Sequence, residues 1–277
     1  MRTQPVAYKK YNPTFGVNLQ SPKLKFNRED FFVNIRGYGK NNAWADIVRD
    51  TADTAVELIR KKMKANQLFK FIAVGIMTAN QKTLDIAKRA LTGILRIPYA
   101  GWDNKDDWED GILITTYGTK GNAKYSGYEN RLDEKMVAPL SNPFKDIDLT
   151  RPVEYNDKKV LVHGDKYSLY DALKHVEKLY NSISENYIGK DITGKDLADI
   201  NDKIAESRWV LAHATPWLRG SDAISNVYMR AIYKSLGIKS YPIAKGISLD
   251  MEAYCTELED YKKNFPKYFE QEPVIIE

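Results

Sequence analysis

The stretch AESRWVLAHATPWLRGSDAISNVYMRAIYKSLG, residues 205–237, gathers the side chains best placed to do chemistry. It reads as helix, break, helix. Pro216 disfavours helix at Thr215, so a first helix ends there, and a second opens around Gly220-Ser221. Ala223, Ile224, Val227, Tyr228, Ala231, Ile232 and Leu236 form the buried stripe of that second helix. Arg219, Gly220 and Ser221 then stand at a helix N-terminus, where backbone N–H groups lack intrahelical acceptors and the dipole is positive. Gly220 permits close approach to the backbone, and the guanidinium of Arg219 is a fork of donors matched to phosphate oxygens. The chemistry on offer is oxyanion binding. The competing reading is an ordinary capped helix, with Arg219 paired to a surface carboxylate.

Other reactive groups are few. Cys255 is the single cysteine, which excludes an internal disulfide and a cysteine-based metal site. With no histidine near it in sequence, it reads as a small buried apolar residue. No His/Asp/Glu cluster has ligand spacing, so no metal is expected. His213 lies between Trp209 and Trp217 and reads as a packing residue; His175, inside an amphipathic helix, reads as structural. Trp102, Trp108, Tyr117 and Tyr128 are all candidates to stack on a base, and the sequence does not choose among them.

The elements that must hold these groups follow from the pattern. Residues 1–28 are polar and carry Pro5, Pro13 and Pro22, which read as an extended arm. Val48, Ala52, Ala55, Val56, Ile59 and Met63 mark a helix over 43–65, with Lys61, Lys62 and Lys64 complementing the dipole at its end. Leu84, Ala87, Leu91, Ile94 and Leu95 predict a second helix over 81–97, stopped by Pro98. Residues 99–166 are rich in Gly, Asn, Asp, Tyr and Pro, with β-like pieces at 112–117, 153–155 and 159–162 and a hairpin turn at Asn156-Asp157. Helices resume at 168–187, with Ser168 as N-cap, then at about 194–213, 220–236 and 249–264, and Gly237 closes the third of these.

The fold class is therefore mainly α. A helical body, residues 29–98 and 167–265, is interrupted by a smaller mixed α/β lobe at 99–166, with a cleft between them and a tail at 266–277. Hydrophobic residues make up 43% of the 277 positions, so the chain folds rather than staying disordered. A net charge of +5, with no basic stripe, gives no case for nucleic acid. No apolar run reaches the length of a membrane span, the N-terminus lacks a Sec signal core, and Arg2 stands where myristoylation needs glycine. The expected location is the cytoplasm, or a host cell after delivery.

The segment Thr215-Pro216-Trp217-Leu218-Arg219-Gly220-Ser221-Asp222-Ala223 resembles a degenerate Fic motif, His-Pro-Phe-x-x-Gly-Asn-Gly-Arg. The proline, an aromatic and the first glycine are kept. The catalytic histidine is Thr215 and the terminal arginine is Ala223. These departures, with Arg-Gly-Ser after the proline, resemble the AvrB family of bacterial effectors, and the likeness covers roughly 150–265, including Val162-His163-Gly164 and Ser248-Leu249-Asp250-Met251-Glu252-Ala253.

That resemblance implies a Fido-like fold whose cleft binds a nucleotide or nucleotide sugar, and transfer of a deoxysugar of the rhamnose type to a hydroxyl of a host protein. The family's helix-start arginine falls on Arg219, its pocket aspartate on Asp250, its histidine before glycine on His163, and its Thr/Tyr pair on Thr119 and Tyr125. Asp250, Thr119 and His163 are thereby the catalytic candidates; Arg219, Gly220, Ser221 and Tyr125 are the nucleotide-binding ones. Each has a plainer reading: Asp250 as the first-turn acid of its helix, His163 as a hydrogen-bonding strand end. The family's arginine upstream of the histidine has no clear counterpart here. The expected donor is a UDP- or dTDP-linked sugar, with no other cofactor. The alternatives are a non-catalytic module that binds nucleotide or a host protein, and a Fic-type nucleotidyl or phosphate-group transferase, which the loss of the motif histidine disfavours.

Overall fold

The computed structural model describes residues 24–32, 40–84, 91–96, 108–109, 112–117 and 127–276. It is mainly helical, as expected. The described elements are α1 (Asn42–Arg60), α2 (Ala65–Thr83), β1 (Trp108–Glu109), β2 (Ile112–Thr116), α3 (Glu129–Val137), β3 (Arg151–Tyr155), β4 (Lys158–Val162), α4 (Lys166–Tyr187), α5 (Gly194–Ala214), α6 (Ser221–Ser235), β5 (Ile238–Lys239), α7 (Leu249–Cys255), α8 (Leu258–Asn264) and β6 (Val274–Ile275). Short 3-10 turns at Arg28–Phe31 and Phe265–Tyr268 complete the set.

The helix over 43–65 is α1, shortened where Lys62 turns to φ 55° and the chain reverses into α2. α2 itself went unpredicted, although Leu68, Phe69, Ile72, Ala73, Ile76 and Ala79 make one buried face. Its Gly75 lies against α1: a Cβ there would sit 2.3 Å from the Thr51 side chain, so this glycine sets how closely the two helices pack. The helix expected over 81–97 is overturned. α2 ends at Thr83, and residues 91–96 are not helical, with Leu91 at φ 65° and Gly93 at φ 75°. That segment runs beside residues 216–219: Gly93 N–H donates to Arg219 O (3.0 Å), Leu218 N–H to Ile94 O (3.0 Å) and Arg96 N–H to Pro216 O (2.9 Å). Apolar spacing drew the helix; the left-handed residues and the pairing with the 216–219 turn forbid it.

The β-like pieces are strands, antiparallel in the order β1-β2-β4-β3. Asn156 and Asp157 make the β3–β4 turn, both left-handed at φ 49° and 58°, which matches the twist of the flanking strands. α4 starts two residues before the predicted cap: Asp165 Oδ1 accepts the Ser168 N–H at 2.8 Å, while Ser168 Oγ accepts the N–H of Asp148. The helix expected over 249–264 is two helices. Between them Thr256 is extended, which frees its carbonyl for the Trp209 indole N–H (3.0 Å) and its hydroxyl for Arg131 (3.1 Å). Residues 1–23 of the arm and residues 99–107, 110–111 and 118–126 of the 99–166 segment lie outside the described residues.

α5 and α6 form the middle of the core. Residues 204–214 are almost wholly inaccessible, and α6 packs against α1, α2 and α5. Trp209, Tyr228 and Tyr233 are fully buried, and Phe69 of α2 stacks on Tyr228 at 4.6 Å between ring centroids. The six residues joining these two helices thus hang from the most rigid part of the molecule.

Candidate functional site

α5 ends as its Pro216 dictates, with Thr215 left-handed at φ 41°. A helix end leaves its last carbonyls without partners, and here each is met by a side chain. Thr215 Oγ1 (2.9 Å) and Tyr254 OH (3.0 Å) donate to Ala212 O; Thr150 Oγ1 donates to His213 O (2.7 Å). Arg96 closes the remainder, through Nη2 to Ala214 O (2.6 Å) and Nε to Thr215 O (2.7 Å), while Nη2 also reaches Gly164 O (2.9 Å). Burial pushes the Arg96 pKa down to about 10, still cationic at neutral pH and suited to the negative end of α5.

His163 sits beside this seal at the end of β4, only 3% exposed. Its Nδ1 lies 2.8 Å from Thr150 Oγ1 and 3.0 Å from Thr215 Oγ1. Each of those hydroxyls has already given its one proton to an α5 carbonyl, so toward His163 both accept. Nδ1 therefore carries the hydrogen. In the neutral ring Nε2 is the acceptor, and Thr115 Oγ1 on β2 stands 3.0 Å from it. The result is a histidine locked in one tautomer by two threonines, holding a third threonine's hydroxyl.

His213 packs behind it and does no proton chemistry. Nδ1 accepts the Thr150 N–H (3.1 Å), Nε2–H donates to Ala253 O (3.2 Å), and the ring lies 4.1 Å from Trp209. Complete burial pushes its pKa down to about 3. The packing role expected of it is what the structure gives. His175 links α4 to α5 through Glu206 (2.7 Å), and Cys255 is buried with its thiol pushed up to about 11.

Asp250 is 5% exposed in the first turn of α7, where its Oδ1 accepts from Ser248 Oγ and from the Met251 N–H (3.0 Å). The Ser248 N–H in turn donates to Tyr128 OH (3.0 Å), whose own proton goes to Glu252 (2.8 Å), and Arg131 grips Glu252 bidentately at 2.9 Å. α3 thereby fixes the start of α7. Tyr128 and Tyr117 are core residues, 3% and 1% exposed, and neither ring is open to stack on a base.

Arg208 of α5 connects the first turns of two helices. Its Nη2 donates to Asp222 Oδ1 of α6 at 2.6 Å, and Asp250 of α7 acts on it electrostatically. Burial works against its charge, but Asp222, Tyr261 and Asp250 together hold the pKa above the ordinary value. Its Nε has no acceptor among the described residues.

At the N-terminus of α6, Gly220 is left-handed at φ 91° and no side chain caps the helix. The glycine is required by that φ and by Thr92, whose methyl would lie 3.3 Å from an added Cβ. Ser221 Oγ is engaged with Trp217, accepting its N–H (3.0 Å) and donating to its carbonyl (2.8 Å). Arg219 is exposed, its backbone held by the 91–96 segment. Thr119 and Tyr125 lie outside the described residues, as do Trp102 and the Trp108 side chain. Thr115, Thr150, Arg96 and Arg208 were not picked out from sequence. A cavity of about 230 Å³ opens on the far side of Thr150, lined among others by Lys135, Leu140, Asp148, Arg151 and Tyr254. Among the described residues no group of His, Cys, Asp and Glu side chains could hold a metal ion, and no helix is long and apolar enough to cross a membrane.

These features define a mainly helical protein with a buried polar centre tied to the end of one core helix, followed by a helix start that no side chain caps. Residues 128–272 match the model of the avirulence-protein family of AvrB and AvrC, and the chain belongs to that family. It is an effector-type protein. The matched span contains His163, Arg219 and Asp250 and reaches further at both ends than the likeness read from sequence. No curated protein matches the chain.

Proposed function

We propose that the chain transfers a sugar from a nucleotide-diphosphate donor to a hydroxyl of a host protein after delivery into the host cell. The observation that carries this reading is the His163 tautomer. With Nδ1–H held by Thr150 and Thr215, the neutral ring offers Nε2 to a hydroxyl proton, and Thr115 already occupies that position. A general base needs this reach and orientation. In the reaction the bond from the sugar's anomeric carbon to the diphosphate oxygen breaks, leaving its electron pair on the diphosphate. The acceptor oxygen bonds to that carbon, and its proton passes to Thr115 Oγ1 as Thr115 gives its own hydroxyl proton to His163 Nε2. Arg219 and the uncapped first turn of α6 would face the charge on the leaving diphosphate. Asp250 would face the sugar or the incoming hydroxyl, with Thr119 and Tyr125 as further donor contacts. A UDP- or dTDP-linked deoxysugar of the rhamnose type is the donor the family resemblance favours.

A second reading is a non-catalytic module that binds nucleotide or a host protein, favoured by the engagement of Ser221 with Trp217. Fic-type nucleotidyl transfer has less support: Thr215 stands where that chemistry needs a histidine, and its hydroxyl is bound to Ala212 O. Thermal-shift screening with UDP-, dTDP- and GDP-sugars against ATP and ADP separates these, since a ligand of the folded state raises the melting temperature by mass action. Intact-mass analysis of candidate host proteins then reads a sugar adduct, a nucleotidyl adduct or none. His163→Gln should keep donor binding and lose the adduct. A variant that still glycosylates at the parent's rate would sink the general-base assignment.

A further inference from the structure

At the other end of α6, about 20 Å from its start by helix rise, a second cavity of about 90 Å³ opens between the Arg28–Phe31 turn and β5. It is lined by Lys25, Asp30, Lys234, Lys239, Ser240 and Tyr241, among others. Against three of these residues lies Arg230, which is fully buried. Its Nη1 reaches Ser240 Oγ (3.3 Å) and Tyr241 O (3.1 Å), and its nearest carboxylate, Asp30, is 3.7 Å away. Its Nη2 has no acceptor among the described residues. A buried guanidinium with a loose ion pair and an orphan donor is costly unless something else accepts from it.

The cavity in front of it is lined by cations. Lys25, Lys234 and Lys239 line it against one carboxylate, Asp30, an excess of two positive charges, and Arg230 lies behind Asp30, Ser240 and Tyr241 without lining the space. Glu29 acts on Asp30 but does not line the cavity. Asp30 is itself anchored by the Asn27 N–H (2.7 Å) and drawn toward Arg230, and burial raises its pKa from the ordinary value. Lys25 is exposed at the rim, and Lys234 is held over the Phe26 ring. The space exceeds what one water needs and is too small for a nucleotide.

We propose that this cavity binds a phosphoryl group, which takes charge-assisted hydrogen bonds from Lys25, Lys234 and Lys239, with the buried Arg230 adding positive charge behind the wall, and ties residues 24–31 to the α6–β5 corner. The same chemistry is offered by free phosphate and by a phosphorylated lipid headgroup. The site is separate from the His163 centre and stands whether or not the glycosyltransferase reading does.

The test uses the full chain and a double variant, Lys25→Ala with Lys239→Ala, whose side chains lie outside the core, so that folding is kept. Inorganic phosphate should raise the melting temperature saturably over chloride at equal ionic strength, and the double variant should need about tenfold more phosphate per lost ammonium. Co-sedimentation with phosphatidylcholine vesicles, with and without a phosphatidylinositol phosphate, adds the second arm. Saturable binding of phosphate alone assigns a soluble ligand; binding only to the phosphoinositide vesicles, lost in the double variant, assigns a headgroup. If neither probe binds, or the double variant responds as the parent does, the cavity holds water and the proposal is overturned.

Discussion

The C-terminus of α5 and the N-terminus of α6 are joined by six residues, Thr215 to Gly220, yet they treat their polar groups in opposite ways. At the first, the carbonyls of residues 212–215 each receive a side-chain donor, and a buried arginine complements the dipole. At the second, no side chain caps the helix, the one serine is turned onto Trp217, and the neighbouring arginine is exposed. A sealed end fixes geometry: it is why His163 has a single tautomer. An open end leaves donors that a ligand can use. The acceptor side of the proposed chemistry is thus built into the core, and the donor side faces outward.

If the sealed end is what orders the site, breaking it has the largest effect. Arg96→Ala removes donors from the carbonyls of Ala214, Thr215 and Gly164 and should cost about 4 kcal/mol, measured by urea unfolding. A loss under about 1 kcal/mol would mean that water replaces the guanidinium and the end is not sealed.

His213 supplies the next test, through pH. Its folded pKa, about 3, lies below the ordinary 6.5. Above pH 6.5 neither state holds the proton. As pH falls, the unfolded chain takes it and the folded one does not, so stability declines through the window from 6.5 toward 3. The slope is about 1.4 kcal/mol per pH unit, or roughly 2 kcal/mol between pH 6.5 and 5. Asp30, with its pKa raised by burial, contributes in the opposite sense at the acid end. Comparison with His213→Asn, which keeps an amide donor and acceptor, isolates the histidine term: the variant's stability should be flatter with pH. Parallel curves would place a proton on the buried ring.

The same contrast explains what could be read in the sequence. α5, α6, the Asn156-Asp157 turn and the Gly237 stop are local: periodicity, a proline and left-handed residues specify them within a few positions. Arg219, Gly220 and Asp250 were visible for the same reason, as the start residues of helices. The polar centre is not local. Thr115 meets His163 across 48 residues, Thr150 meets His213 across 63, and Arg96 reaches Thr215 across 119. A threonine on a strand and an arginine in an apolar run carry no mark of this in their own neighbourhood. The error over 81–97 has the same root, because the partner that pulls residues 91–96 out of a helix is the 216–219 turn. α2 failed for a simpler reason: ANQLFKFIAVGIMTANQKT carries a central glycine, and its need appears only where Thr51 packs against it.

The open end predicts smaller changes in stability and larger ones in binding. Gly220→Ala forces a side chain into the left-handed region beside Thr92 and should destabilise by about 1 kcal/mol. Arg219→Ala should do less, within about 0.5 kcal/mol, since the side chain is exposed and the loop is held through backbone bonds to residues 93–96. Yet it should abolish the thermal shift given by nucleotide-diphosphate ligands, if the start of α6 is where the diphosphate sits. The two variants separate shape from charge: Gly220→Ala perturbs the turn and keeps the guanidinium, whereas Arg219→Ala keeps the turn. An Arg219→Ala protein that binds the donor as tightly as the parent would move the phosphate site away from this helix start. The open end would then be merely uncapped, and the contrast with the sealed end would be one of stability alone.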